Sequence, residues 1–543
     1  MTKYLAKLCN LQTRAKWPWF KGSALLLGAA AVLGLTACAQ SAPYRTELNQ
    51  PYQETTSQGV QPDCNSKFAK MTPEIPKGRP YELYFVEFDD QGWLHPGRAE
   101  TAHNGDADKQ IDFLMERLKK EMEKDTSKIS IILYIHGWKH NADCEDDNVK
   151  KFRQVLTSIS SVEQEQNGQK REIIGIYVGW RGKALKLPLE DFTFWDRKAA
   201  ALRVAQGSAR ELLARLRAFQ NYYNEKDDQC KADSDPSKRP DCRIRMLLIG
   251  HSFGGWILYS ATSGWLIQTS AAKVDVDGKQ AVGGKDATAN AGYNANERLA
   301  DLVVLLNPAF EGSRYQPLHK VAQCQRTTDT TNQATDGNRP CPSQLRPYDH
   351  YESPFLVTIT SSADWATGSA FPIGRWINSI LERPTASDEQ SEAITHTPGH
   401  IDRYITHSLK KVDSEPEKCQ GYNPQDLTLI KETYDKEEAN EEEFFARYKD
   451  DSKGVYRLPP GWERRFCGGA VLTHREGQSD PNSPVWNVQA DESIINGHND
   501  IEGDALVAFI RQLYHELVKK SSPENSGSAA TAMTGSVSPR RPD

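Results

Sequence analysis

Ser252 is the residue of this 543-residue chain whose surroundings most favour covalent chemistry. It lies in Gly250-His-Ser-Phe-Gly254, between two apolar runs that predict a strand before the turn and a helix after it. On such a turn the hydroxyl projects beyond the end of a sheet, and Gly250 and Gly254 leave room for the backbone to double back. We therefore expect Ser252 to be a nucleophile.

A serine hydroxyl becomes a good nucleophile when a histidine accepts its proton and a carboxylate orients that histidine. Both partners must come from loops at the same edge of the sheet as Ser252. His498 lies between the last predicted strand and the last predicted helix, and Asp364 directly follows another predicted strand. Glu311, which also follows a predicted strand, is an alternative acid. The histidines expected to have structural or lid roles are His396, His400 and His407.

Acyl transfer also requires N–H donors that stabilise the negative charge of a tetrahedral intermediate. The N–H of Phe253, directly after the nucleophile, is one candidate. The second is the N–H of Trp138, because His136-Gly137 after an apolar strand lets the backbone bend towards the substrate. This chemistry needs no cofactor, and no C-x-x-C or closely spaced Cys/His set predicts a metal site.

Apolar runs and amphipathic patterns alternate along the chain and predict the elements that hold these residues. The predicted strands are 81–88, 128–135, 173–180, 244–249, 299–306, 355–361 and 484–489. The predicted helices are 111–122, 149–159, 194–219 and 503–513, with one more starting at Trp256. The expected fold class is α/β, with a doubly wound, mostly parallel sheet, long loop or cap insertions, and ligands at the carboxyl ends of the strands.

The chain resembles the α/β-hydrolase superfamily, in particular bacterial serine esterases and lipases, in four features and in their order. These are Ile135-His-Gly-Trp138, Gly250-His-Ser-Phe-Gly254, the loop bearing Asp364, and Gly497-His498. The resemblance covers about residues 80 to 515 and is most specific in the two loops around the serine. It implies a Ser252/His498/Asp364 triad that forms and hydrolyses an acyl-enzyme without a metal or organic cofactor.

The activity that this resemblance implies is cleavage of a small-molecule ester or a lipid. A peptidase or amidase with the same triad is one alternative. The other is a non-catalytic binding or surface-assembly lipoprotein that keeps the fold, since a fold by itself does not establish activity. The sequence does not indicate an oligomeric state.

The first 37 residues are typical of an export signal, with a long basic region before a short apolar stretch. That stretch is a poor fit to a spanning helix, which needs about 20 residues. It ends at Leu35-Thr-Ala-Cys38, which resembles the lipobox of bacterial lipoproteins and implies cleavage before Cys38 and a diacylglyceryl group on its thiol. We expect a lipid-anchored protein of the bacterial cell envelope, with Ala39 favouring the outer membrane. An ordinary cleavable signal and a transmembrane anchor are the alternatives.

Composition agrees with a large exported domain. A hydrophobic content of 38% suffices for a sizeable core, and a net charge of −6 with interspersed signs argues against nucleic acid as a partner. Of ten cysteines, setting aside Cys9 and Cys38 leaves eight, an even number. Close spacing predicts the disulfides Cys230–Cys242 and Cys324–Cys341. For the other four, the pairs Cys64–Cys144 and Cys419–Cys467 are one possibility.

Changes in composition predict the domain boundaries. We expect a signal peptide at 1–37, a flexible tether at 38–77, a hydrolase domain at 78–520 and a disordered tail at 521–543. The domain is expected to contain insertions at about 264–298, 311–353 and 381–485. The last of these includes a run of charged residues, and we expect either a lid or a surface insertion there.

Overall fold

A computed structural model of the chain describes most of the predicted domain and parts of the stretch before it. The described residues are 43–45, 47–48, 71–77, 80–95, 109–124, 127–165, 171–183, 193–227, 230, 242–272, 298–323, 348, 350–378, 388–422, 430–450, 455–501 and 503–518. The expected signal peptide, the expected lipidation site Cys38 and the expected tail 521–543 lie outside these residues.

The apolar runs of the sequence form the strands of one large sheet. These strands are β1 (Glu82–Glu87), β2 (Lys128–Ile135), β3 (Arg171–Gly179), β4 (Ile244–His251), β5 (Leu302–Leu306), β6 (Leu356–Ser361), β7 (His407–Lys411), β8 (Glu463–Arg465), β9 (Ala470–His474) and β10 (Val485–Ala490). Every residue of β2 and of β4 is buried. Such strands are covered on both faces, which explains why their sequences are apolar runs rather than alternating patterns.

Helices cover both faces of the sheet. The α-helices of the described residues are α1 (Lys109–Met122), α2 (Asp147–Glu165), α3 (Phe194–Gln206), α4 (Ser208–Glu225), α5 (Phe253–Ala272), α6 (Gly312–Ala322), α7 (Phe371–Asn378), α8 (Asp388–Thr395), α9 (Ile430–Ala446) and α10 (Asp504–Val518). Buried side chains of α1, α3, α4, α5 and α6 share one hydrophobic core. Those of α2, α9 and α10 share a second core on the other face. The arrangement is therefore doubly wound.

The strand order is β8-β9-β7-β10-β6-β5-β4-β2-β3-β1. Each neighbouring pair in this order from β1 across to β7 is parallel, whereas the pairs β7–β9 and β9–β8 are antiparallel, so β9 alone of these ten strands runs opposite to the others. The predicted α/β class with a mostly parallel sheet is confirmed. Because the strands are parallel, the loops that follow β1 to β6 and β10 all lie at one edge of the sheet, which we call the carboxyl edge.

The segment 381–485 is not a lid or a surface insertion throughout, as the sequence suggested. It contributes β7, β8 and β9 to the sheet, and β7 pairs in parallel with β10 over Val488 to Ala490. Phe444 and Phe445 of α9 are buried in the second core. The sequence did not predict these strands because β7 and β8 are short and rich in charged residues, and because the pairing of β7 with β10 is a long-range contact that local patterns do not contain.

Three further boundaries differ from the prediction. The expected helix 194–219 is divided into α3 and α4 at Gly207, whose ψ of −140° is not helical. The Ser208 N–H there donates to the carbonyl of Gly92 at 2.9 Å, and a Cβ at Gly207 would overlap that carbonyl oxygen. The insertion expected from residue 264 starts later, since α5 continues to Ala272. Of the insertion expected at 311–353, residues 312–322 form α6. The remaining parts, 273–297 and 324–347, lie outside the described residues.

Part of the expected tether is built into the folded body. Glu47–Leu48 pairs in parallel with Met71–Thr72, and the backbone N–H of Phe85 in β1 donates to the Thr72 hydroxyl at 2.9 Å. The prediction of a flexible tether is therefore wrong for 43–45, 47–48 and 71–77. The tether was predicted from the Ser, Thr and Pro content of this stretch. Composition does not report these contacts, because they form only when the edge strand β1 is in place.

Two disulfides of the described residues match the expected pairs, Cys230–Cys242 and Cys419–Cys467. The first joins the end of α4 to the start of β4. Cys144 is also disulfide-bonded. The expected partner Cys64 and the expected pair Cys324–Cys341 lie outside the described residues. In the ranges given above, no helix has the length and apolar content needed to cross a membrane.

Candidate active site

Ser252 lies at the turn between β4 and α5, as predicted, with φ of +54°. A left-handed backbone is costly for a residue with a side chain, so the surroundings must hold it in place. The N–H of Ser252 donates to the carbonyl of Leu306 at 2.9 Å, and its carbonyl accepts from the N–H groups of Trp256 and Ala309 at 3.2 Å. The end of β5 and the start of α5 therefore fix the strained turn.

The glycines of the two motifs bring the loop after β2 against this turn. A Cβ at Gly254 would lie 2.6 Å from the carbonyl carbon of Ile135, and one at Gly250 would lie 2.7 Å from the carbonyl oxygen of Gly254. A Cβ at Gly137 would lie 2.8 Å from the Cβ of Ser252. Only glycine permits these backbone approaches.

The structure brings the three predicted side chains together. The imidazole of His498 lies with Nε2 2.8 Å from the hydroxyl oxygen of Ser252 and Nδ1 2.8 Å from Oδ2 of Asp364. Ser252 is 3% and Asp364 1% exposed, whereas the His498 side chain keeps 20% of its surface in contact with solvent. The cluster therefore opens to solvent on the histidine side.

Asp364 is held as a carboxylate by its hydrogen bonds. Burial would raise the pKa of this carboxyl, but the hydrogen bond and charge of His498, together with two bonds from Thr367, outweigh burial and lower the pKa below its usual value. The Thr367 hydroxyl donates to Oδ2 and its backbone N–H to Oδ1 at 3.1 Å. A carboxylate only accepts, so His498 carries its proton on Nδ1 when neutral, and Nε2 is free to accept the Ser252 hydroxyl proton.

A second set of polar groups holds the loop that carries His498. The side-chain N–H₂ group of Asn307 donates to the carbonyls of Gly497 and His498 at 3.1 and 2.8 Å. His251 donates from Nε2 to the same His498 carbonyl at 2.9 Å, and burial lowers the pKa of His251 to about 3, so its ring is neutral. The Ser361 hydroxyl donates to the carbonyl of Ile495 at 2.6 Å.

Sequence reasoning did not assign roles to Asn307 and His251. Asn307 follows β5 with φ of +42° and lies fully buried. A buried asparagine at the end of a central strand was a usable signal, because its side chain must find partners in neighbouring loops. His251 lies within the motif of the nucleophile, but its contact with a loop 247 residues further along depends on tertiary structure.

The two predicted oxyanion donors belong to Phe253, the neighbour of Ser252, and to Trp138, the neighbour of Gly137, where a Cβ would lie 2.8 Å from that of Ser252. Phe253 is the first residue of α5, where backbone N–H groups lack intrahelical partners. Within the described ranges, neither its N–H nor that of Trp138 is paired with an acceptor. The ring of Phe194 packs at 4.9 Å from Phe253 and 5.1 Å from Trp138, between centroids. The side chains of the two residues that carry these N–H groups therefore pack on one aromatic ring.

His136 has a supporting position in this loop. Its ring stacks on Trp180 with centroids 5.7 Å apart, and the Trp180 indole N–H donates to the His136 carbonyl at 2.9 Å. Burial lowers the pKa of His136 to about 4, so the ring is neutral. These contacts connect the loop after β2 to the end of β3.

The alternative acid Glu311 does not contact His498. Its carboxylate instead forms ion pairs with Lys198 of α3 and, at 2.9 Å, with Arg375 of α7. Burial would raise the pKa of Glu311, but the positive charges of Lys198 and Arg375 outweigh it, and the pKa is lowered. Glu311 therefore ties two helices together beside the site.

The three histidines expected to have structural or lid roles lie at different positions. Nε2 of His400 lies 3.0 Å from the hydroxyl oxygen of Thr367, and that hydroxyl donates to Asp364. His407 is buried in β7, with its ring centroid 4.8 Å from that of Trp486. His396 is not among the residues that contact the triad. Its backbone carbonyl accepts a hydrogen bond from the N–H of Gly312 at 2.8 Å.

Comparison of the chain with protein-family models, with curated proteins and with solved structures gives no match. Among the residues that the structure describes, no group of three or more His, Cys, Asp or Glu side chains has an arrangement able to hold a metal ion.

Proposed function

We propose that the chain is a serine hydrolase that cleaves carboxylic esters through Ser252, His498 and Asp364. The observation that carries this proposal is the continuous set of contacts from hydroxyl to imidazole to carboxylate, each 2.8 Å long, at a strained strand-to-helix turn. A buried structural serine needs neither the strain nor a partly exposed histidine as its partner. Both features are those of a nucleophile with a general base.

The reaction follows from the hydrogen-bond directions. Nε2 of His498 takes the hydroxyl proton as the Ser252 oxygen bonds to the ester carbonyl carbon, and Asp364 stabilises the imidazolium that forms. The N–H groups of Phe253 and Trp138 donate to the oxyanion. The intermediate expels the alcohol, which receives the proton from His498. A water molecule then attacks the acyl-enzyme with His498 again as base, and Ser252 is restored.

The order of the site residues and the strand arrangement around Ser252 support an α/β-hydrolase fold for this domain. The loop after β2 supplies one oxyanion donor, the turn after β4 the nucleophile, the loop after β6 the acid and the loop after β10 the base. We also propose, from the sequence before residue 43, export to the bacterial envelope and lipid attachment at Cys38.

The alternatives differ in what they require of the site. A non-catalytic surface-assembly protein has no need for the three side chains to meet, whereas a peptidase or amidase needs the same triad. A panel of matched ester and amide substrates separates an esterase from a peptidase or amidase. The contacts of His498 favour a catalytic role over the non-catalytic one.

The test is covalent labelling by a fluorophosphonate probe, which reacts with activated serines. We expect labelling of the wild-type protein, none in Ser252→Ala, and strong reduction in His498→Gln. Ser260 is a suitable control because it lies in α5 outside the site, and Ser260→Ala is expected to label like wild type. Unchanged labelling in Ser252→Ala would show that the nucleophile is assigned wrongly.

A further inference from the structure

The stretch that follows the expected lipid anchor is fixed beside the candidate active site. The backbone N–H groups of Tyr44 and Arg45 donate to the carboxylate of Glu87, the last residue of β1, at 3.0 and 2.7 Å. The Tyr44 hydroxyl accepts from the side-chain N–H₂ group of Asn141 at 3.0 Å. Asn141 belongs to the same loop after β2 as the oxyanion candidate Trp138. The chain therefore reaches the body at the carboxyl edge.

Arg45 makes this attachment a firm one. Its guanidinium forms an ion pair with Glu74 at 2.8 Å, and the two side chains are 1% and 3% exposed. The same guanidinium lies 3.8 Å from the ring centroid of Phe85 in β1. Breaking a buried ion pair by removing one partner is strongly destabilising, so residues 43–45 are part of the fold.

The distance from this attachment to the expected anchor is short. Five steps along the chain separate Cys38 from Pro43, and a fully extended chain covers at most about 18 Å in that number. A diacylglyceryl group on Cys38 lies within the bilayer. Pro43, and the part of the carboxyl edge beside Glu87 and Asn141 where the chain attaches, must then lie within about 18 Å of the membrane surface.

Large apolar side chains exposed to solvent concentrate at the same edge. Trp365, which follows Asp364, is 70% exposed, and Ile373 of α7 is 61% exposed. Trp93, in the turn after β1, is 69% exposed, and Tyr44 is 40% exposed. Tryptophan and tyrosine are the side chains that favour the interface between lipid and water.

Tyr222 provides the contrast within the described residues. It is 53% exposed but lies near the end of α4, next to Tyr223, whose ring is 5.9 Å from the guanidinium of Arg243. Arg243 precedes β4, so Tyr222 belongs to the opposite edge of the sheet. The other exposed large apolar side chains thus share the edge where the anchor segment arrives.

From these observations we propose that the carboxyl edge lies against the bilayer that holds the anchor, with Trp365, Ile373, Trp93 and Tyr44 at its interface. The substrates are then acyl esters that reside in this bilayer and reach Ser252 from the membrane. This inference rests on the hydrolase activity and the Cys38 lipidation proposed above. The alternative substrate source, a water-soluble ester, is an outcome of the test.

The orientation is tested with the lipidated full-length protein in phosphatidylcholine vesicles whose acyl chains carry bromine, which quenches nearby tryptophans. We expect quenching relative to unbrominated vesicles, with part of it lost in Trp365→Phe and part in Trp93→Phe. Trp265→Phe is the matched control, because Trp265 lies 12 residues into α5 from Phe253, about 18 Å along the helix. The loss of fluorescence intensity per protein molecule caused by bromine is expected to be the same in Trp265→Phe and wild type.

The absence of quenching in a protein that floats with the vesicles would overturn the orientation. Failure to float would overturn the anchor on which the inference depends. Fluorophosphonate labelling of Ser252 in the same samples reports the hydrolase proposal separately, because that probe reacts in solution.

The substrate class is tested by comparing an ester held in the vesicles with a water-soluble short-chain ester. In Ile373→Ser, we expect the rate on the vesicle ester to fall several-fold while the rate on the soluble ester stays unchanged. Tyr222→Ser is the control and is expected to change neither rate. Equal rates of Ile373→Ser and wild type on the vesicle ester would contradict this substrate assignment.

Discussion

Asn307→Asp is the change that most directly probes how the candidate base is held. The substitution keeps the size of the side chain and the oxygen that accepts the N–H of Ser361 at 2.8 Å. It replaces the N–H₂ group that donates to the carbonyls of Gly497 and His498 by an oxygen. At 3.1 and 2.8 Å, that oxygen faces two other oxygens. The loop carrying His498 must then move or the new carboxyl must take up a proton.

The expected cost can be estimated from these contacts. The His498 carbonyl keeps the bond from His251 at 2.9 Å, whereas the Gly497 carbonyl loses the bond from Asn307. Gly497 is only partly buried, so losing this bond costs about 0.5–1.5 kcal/mol. If this cost falls on the position of the His498 ring, the rate of reaction at Ser252 drops about 2- to 13-fold.

The effect depends on pH in a direction that the structure fixes. Burial and two facing carbonyls raise the pKa of the introduced carboxyl above the ordinary value of about 3.9. Below its raised pKa the carboxyl is protonated and can donate to the His498 carbonyl. The deficit relative to wild type is therefore largest at high pH and shrinks as the pH falls. Asn307→Gly, which tolerates the φ of +42°, lacks the charge and should show a deficit that is independent of pH.

The assay is the second-order rate of labelling by a fluorophosphonate, measured between about pH 5 and 8, with the thermal midpoint measured on the same samples. Wild type, Asn307→Asp and Asn307→Gly are compared at each pH. Labelling of Asn307→Asp at the wild-type rate, or a deficit that does not change with pH, would refute this account of the base loop.

Two further predictions concern the carboxylates near the site. Thr367→Val removes a donor that lowers the pKa of Asp364, so the acid limb of the pH profile of the labelling rate should move to higher pH. Thr367→Ser keeps the hydroxyl and should restore the wild-type profile. Equal pH profiles of wild type and both variants would contradict this prediction. Glu311→Gln leaves Lys198 buried without its counter-ion, which costs about 3–5 kcal/mol of stability at neutral pH. Because the folded-state pKa of Glu311 is lowered, its contribution is present above the ordinary value and is lost as the pH falls through the folded-state pKa. Melting curves of wild type and Glu311→Gln at several pH values should show the difference in their stability shrinking as the pH falls, with labelling per folded molecule unchanged. A loss of labelling as large as that of Asp364→Asn would reinstate Glu311 as the acid.

The site was more predictable than the fold around it. Gly250 and Gly254 around Ser252 report a local constraint, since a sharp turn excludes side chains wherever it occurs. Asp364 and His498 could be found because each follows a strand, and parallel strands end at one edge. Neither residue was identified by its immediate neighbours in the sequence alone.

The errors share a cause. β7 and β8 were missed because their side chains are partly charged. β7 pairs with β9 and β10, which are distant in the chain, and β8 pairs only with the nearby β9. The attachment of residues 43–45 was missed because it needs the carboxylate of Glu87 and the amide of Asn141 to be in place. The division of one predicted helix at Gly207 depends on the approach of Gly92.

The sequence by itself determined the strand-to-helix turn at Ser252 and the alternation of strands and helices, because these depend on residues near one another in the chain. The candidates Asp364 and His498 followed from that alternation, because each comes after a predicted strand. Only the tertiary structure decided that Asp364 rather than Glu311 meets His498, and that Asn307 and His251 hold the base loop. Hydrogen bonds and ion pairs form between whichever groups folding brings within about 3 Å, and local patterns do not encode that distance.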